Sequence, residues 1–111
     1  MTTDPTRAPK FATPVYIAPA PGAASKNLAT NASTLVYTGP GYATGLNVNT
    51  AGTTSTIKLY DGLDATGTLL GTWSTTDQGF IPLGNIPFAT GLFAVTAGGA
   101  AANVTVSYVG S

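Results

Sequence analysis

At 111 residues and without a cysteine, the chain fits one domain whose stability must come from its 43% apolar residues, because no disulfide framework can replace a core. Only 7% of residues are charged, against roughly 25% in an ordinary soluble domain, and the formal net charge is zero. A nucleic-acid partner is therefore not expected: such a partner normally leaves a basic stripe, yet of the four cations Arg7, Lys10 and Lys26 lie near the start and Lys58 stands alone.

The first 27 residues read as an extended arm. Pro5, Pro9, Pro14, Pro19 and Pro21 forbid helix and remove the donors that a central strand needs. As polyproline II, at about 3.1 Å per residue, such an arm reaches on the order of 80 Å. Phe11, Val15, Tyr16 and Ile17 sit between the prolines as candidate anchors, with Lys10 and Arg7 beside them for rim contacts. Because Pro14 and Pro19 interrupt the apolar stretch, neither a signal peptide nor a membrane span is expected. The sequons at Asn31 and Asn103 are read as chance.

From Leu28 to Ser111 the pattern changes to short Thr, Val, Ile and Leu runs cut by Gly, Asn, Asp-Gly and Pro, which predicts an all-β domain without helix. Strands are expected at Thr34–Thr38, Ala43–Asn49, Ser55–Tyr60, Thr68–Ser74, Gly79–Leu83, Ile86–Ala89, Leu92–Thr96 and Asn103–Val109. Seven or eight strands suit an antiparallel β-sandwich of jelly-roll or Greek-key type. The alternation turns Leu46, Val48, Ile57, Leu59, Val104, Val106 and Tyr108 inward and Asn47, Thr56, Lys58, Thr105 and Ser107 outward. Trp73, in phase with Leu69 and Gly71, is assigned to the core or its rim.

Two segments are nearly alike: YATGLNVNTAG at Tyr42–Gly52 and FATGLFAVTAG at Phe88–Gly98 agree at seven of eleven positions, and each leads into a segment ending in tyrosine, TIKLY and TVSY. This reads as one β-hairpin written twice, one per half of the sandwich and related by a rough twofold. Duplication and convergence on shared turn chemistry both produce such a match. Two copies are too few for a solenoid.

Chemistry is scarce. Without His, Cys or Glu, the chain has no catalytic triad, no common zinc site and no glutamate acid/base pair. Asp61 and Asp64, in Asp61-Gly62-Leu63-Asp64, form the one close carboxylate pair; a hydrolase or Ca²⁺ loop needs more, and Asp-Gly after a strand reads as a turn. Gly39-Pro40-Gly41 lacks the Lys-Ser/Thr of a phosphate loop and also reads as a turn. Tyr37, Tyr42, Tyr60, Tyr108 and Trp73 are read as packing residues in preference to a sugar platform, which wants amides or carboxylates nearby. Not an enzyme, with no catalytic residue, cofactor or metal, is the expectation. A surface of Thr, Ser, Asn and Gly with so little charge points to assembly, as a homo-oligomer or on a larger partner.

LYDG at Leu59–Gly62, ATGT at Ala65–Thr68 and FATGLFAVTAGGAAANVTVSY at Phe88–Tyr108 together resemble small tailed-bacteriophage virion proteins, the capsid decoration, head-fibre and minor structural proteins. The resemblance covers approximately residues 42–109. It implies a sandwich projecting from a shell, often as a trimer, with an N-terminal segment as anchor; the partner is then the major capsid protein or another virion protein. The location implied is the capsid surface, after synthesis in the host cytoplasm. The rival expectation is a carbohydrate- or receptor-binding sandwich on a phage tail or cell surface.

Overall fold

Short runs rich in Val, Thr and Leu, cut at close intervals by Gly, Asn and Pro, bury their apolar side chains by pairing as strands with one face turned inward. The computed structural model describes residues 22–110, and these form eight strands: β1 (Ala23–Leu28), β2 (Ser33–Thr38), β3 (Gly41–Thr50), β4 (Thr56–Asp61), β5 (Thr68–Ser74), β6 (Gly79–Phe88), β7 (Gly91–Ala97) and β8 (Asn103–Gly110). No helix occurs among the described residues. The strands make two four-stranded antiparallel sheets, ordered β1-β8-β3-β6 and β2-β7-β4-β5.

The core lies between the sheets. Leu28, Ala43, Leu46, Val48, Val104 and Val106 come from one, and Val36, Ile57, Leu59, Leu92 and Ala94 from the other. The inward set expected from alternation is thus found inside, with Tyr108 partly buried against it. One polar pair is enclosed with the core: the Thr75 hydroxyl donates to Ser55 Oγ at 2.7 Å, and the Thr75 amide donates to the Ser55 carbonyl at 2.9 Å. Each group satisfies the other, so neither is left buried and unpaired.

The expected strand layout needs three corrections, two of boundary and one of topology. The sheet begins before Leu28, because Ala23–Leu28 pairs along its whole length with β8 from Val109 to Val104. Five residues counted with the arm therefore belong to the domain; the arm's last proline is Pro21, and Ala23–Leu28 holds none to block pairing. The two strands expected at Gly79–Leu83 and Ile86–Ala89 are one strand, β6. Its partner positions jump from Pro82 to Ile86 as β3 moves from Gly45 to Ala43. Gly84 (φ 70°) and Asn85 (φ 58°) absorb the extra length in left-handed conformations, which Gly and Asn tolerate best.

The third correction concerns the repeat. β3 and β4 lie in different sheets, as do β7 and β8, so each copy is an arch crossing the core and not a hairpin. The copies pair with each other instead, β3 with β8 and β4 with β7. Replacing β1–β4 by β5–β8, and the reverse, turns one sheet order into the other. The equivalent loops also meet: Thr53 bridges Ala100, with the Gly99 and Ala100 amides donating to the Thr53 carbonyl at 2.9 and 3.1 Å.

Candidate functional site

Asp61 closes β4, and the antiparallel register sets it beside the turn joining β6 to β7. Its carboxylate accepts from the amides of Ala89 at 3.0 Å and Thr90 at 2.9 Å, and more weakly from Gly91 at 3.5 Å. The Ala89 and Thr90 amides, with a lesser contribution from Gly91 working against partial burial, hold its pKa below the usual carboxylate value. Asp64 folds onto its own loop: its Oδ1 accepts both the amide and the hydroxyl of Thr66, the hydroxyl contact being the larger cause of its lowered pKa. The Gly67 amide then donates to the Asp64 carbonyl at 3.2 Å, closing the turn. Both carboxylates are thus occupied by turn donors, but only Asp64 bonds its own turn as the Asp-Gly reading expects; Asp61 reaches across to the β6–β7 turn, and Gly62 has no positive φ. A shallow depression formed by Tyr42, Pro87 and Phe88 runs up to Asp61, but the carboxylate faces the turn amides.

The aromatic residues are dispersed. Tyr37 packs edge-on to Phe88 (centroids 6.1 Å apart) and tilted against Tyr108 (5.4 Å), beside the core. Trp73 is partly buried against the core, its ring lying where a Cβ on Gly71 would be. The expected phase with Leu69 is broken because β5 skips Leu70 in its pairing with β4, which turns Leu69 outward and leaves it 50% exposed.

Two surfaces stand out, one on each sheet. Across the outside of β2-β7-β4-β5, the register places Leu35, Phe93, Tyr60 and Leu69 in one row spanning all four strands. Phe93 is only 9% exposed although it points away from the core, because its cross-strand neighbours flank it; Leu35 remains 42% exposed. On the outside of β1-β8-β3-β6, the topologically matching row is Asn27, Thr105, Asn47 and Phe80. There, Asn side chains and Thr105 form a hydrogen-bonded network. Alternation pointed outward at Asn47 and Thr105, but it singled out neither row. The usable signal lay in the repeat's mismatches, where Asn47 and Asn49 of the first copy become Phe93 and Val95 in the second.

The anchors proposed from sequence, Lys10, Phe11, Val15, Tyr16 and Ile17, lie outside the described residues. Among the described residues no cluster of three or more metal-ligating side chains occurs, and no helix is long and apolar enough to cross a membrane. No protein-family model matches the chain, and no curated protein matches it in sequence.

Proposed function

We propose that the chain is a non-enzymatic structural protein of a tailed-bacteriophage virion, a capsid decoration or head-fibre protein that binds the shell through residues 1–21 and assembles as a homotrimer. The observation that carries this reading is the apolar row Leu35–Phe93–Tyr60–Leu69, which runs from edge to edge of an outer sheet face in a chain nearly devoid of charge. A row of this kind is an assembly surface, since leaving it in water costs free energy that contact with a second copy recovers. The strand order supports the reading: β1-β8-β3-β6 over β2-β7-β4-β5 is that of an eight-stranded jelly roll, an architecture found in viral capsid and lectin domains. So does the commitment of Asp61 and Asp64 to turns, which occupies the close carboxylate pair with backbone and hydroxyl donors.

Attachment is assigned to residues 1–21 because Phe11, Val15, Tyr16 and Ile17 are concentrated there. The test is co-sedimentation of the full chain, and of a chain starting at Gly22, with capsids of the parent phage. Truncation must stop at Gly22, because removing Ala23–Asn27 would strip β1 and expose the edge of β8. Binding by the full chain and its loss on truncation is the expected result. Equal occupancy by both would move attachment to the sheets, and failure of the full chain to bind would reject the decoration role.

A further inference from the structure

We propose that the outer face of the β1-β8-β3-β6 sheet is a binding platform for a neutral oligosaccharide. This goes beyond capsid attachment and is independent of it, since it uses neither residues 1–21 nor the apolar row. At its centre, Asn27 and Asn49 approach from opposite sides of β8, and each donates through Nδ2 to both Asn103 Oδ1 and Thr105 Oγ1, at 2.6–3.2 Å. Asn47 Nδ2 donates in turn to Asn49 Oδ1 at 2.7 Å. These bonds fix the planes of the amides, yet Asn103 Nδ2, the Oδ1 atoms of Asn27 and Asn47, and the Thr105 hydroxyl as a donor have no partner among the described residues. Donors and acceptors are thus interspersed, the pattern that a sugar hydroxyl, itself both donor and acceptor, satisfies.

Phe80 supplies the apolar half of the platform. It stands opposite Asn47, and one edge of its ring abuts Gly45, where a Cβ would come within 2.5 Å of two ring atoms. The ring is therefore held down on the sheet beside the amides while remaining 62% exposed. An exposed aromatic side chain beside a row of amides gives apolar contact to the C–H side of a pyranose while the amides reach the hydroxyls. Gly45 is what allows it to lie there.

Charge selects the ligand class. The outward positions on these strands, among them Ser25, Asn27, Thr105, Ser107, Asn47, Pro82 and Tyr42, carry no Asp, Glu, Lys or Arg, so the face complements a neutral glycan and offers no charge to a phosphate or an acidic sugar. A protein partner fits less well, because the amides occupy the centre where a protein interface wants its apolar anchors.

The test is amide NMR of the full chain with cellohexaose, maltohexaose, laminarihexaose and chitohexaose, and with an oligogalacturonate as the charged control. At least one neutral hexasaccharide is expected to give saturable shifts of the Asn47, Asn49 and Asn103 side-chain amides, with none from the control. Phe80→Ala should weaken that binding by about tenfold or more. Phe80→Leu, which keeps apolar cover over Gly45 but lacks the ring face, should do the same and covers the case in which the alanine variant misfolds. Absence of saturable shifts with all four sugars at millimolar concentration, shifts confined to the β2-β7-β4-β5 sheet, or shifts unchanged in both Phe80 variants would overturn the proposal.

Discussion

Replacing Asp61 by alanine removes a cross-strand staple. In the native protein its carboxylate takes two well-formed amide hydrogen bonds, from Ala89 and Thr90, and one marginal bond from Gly91, tying the end of β4 to the turn that launches β7. Bonds to a charged acceptor contribute about 1.5–3 kcal/mol each when shielded, but this site is partly exposed and water can replace the lost acceptor, so about 1–2 kcal/mol in total is expected. The loss carries a pH signature. Because the native pKa lies below its ordinary value, the unfolded chain binds the proton more readily, and the stabilisation is fully present above the ordinary carboxylate range. It fades as pH falls through the depressed native value. Urea denaturation of wild type and Asp61→Ala should therefore differ by this amount at neutral pH and converge in strong acid. A difference that stays constant from neutral to strongly acidic pH would refute the charge-assisted staple and point to packing alone.

Three further outcomes are expected. Leu46→Ala, at a fully buried position, should cost about 2–5 kcal/mol in chemical denaturation, and a loss below 1 kcal/mol would mean that the sheets close over the cavity. Thr75→Val removes the donor to Ser55 Oγ in an enclosed site and should cost about 1–3 kcal/mol by the same measurement, whereas a neutral effect would mean that water reaches Ser55. Leu35→Asp combined with Leu69→Asp should reduce the proposed trimer to monomer in light scattering while the circular dichroism spectrum stays β; a trimer that persists would exclude the apolar row as its contact.

Fold class and core were legible because local and non-local signals agree at these positions. Leu46, Val48, Ile57, Leu59, Val104 and Val106 alternate with polar residues and are buried together. The crossing of β3 to β4 was not legible, because the alternation on either side of Thr50–Thr54 is the same whether the second strand folds back beside the first or passes over the core. The pairing of the two copies is a tertiary choice, made between residues that lie from 31 (Asp61 with Leu92) to 69 (Gly41 with Gly110) positions apart in sequence. The start of β1 was hidden for a simpler reason: AASKN has neither alternation nor β-branched residues, and it is a strand because β8 offers an edge. The contrast between the two outer faces was present in the sequence, since two of the repeat's four mismatches exchange Asn47 and Asn49 for Phe93 and Val95 at outward positions. Their meaning needed the register, which sets Phe93 between Leu35 and Tyr60 but Asn47 between Thr105 and Phe80.

The proposed role in the virion is tested most directly by quantitative mass spectrometry of purified particles of the parent phage, with cryo-electron microscopy of the same sample. The account predicts that the chain is a stoichiometric component of the particle, present in multiples of three, with two-sheet density on the outer surface of the capsid. Particles that are infectious and complete while the chain stays behind in the lysate would contradict it.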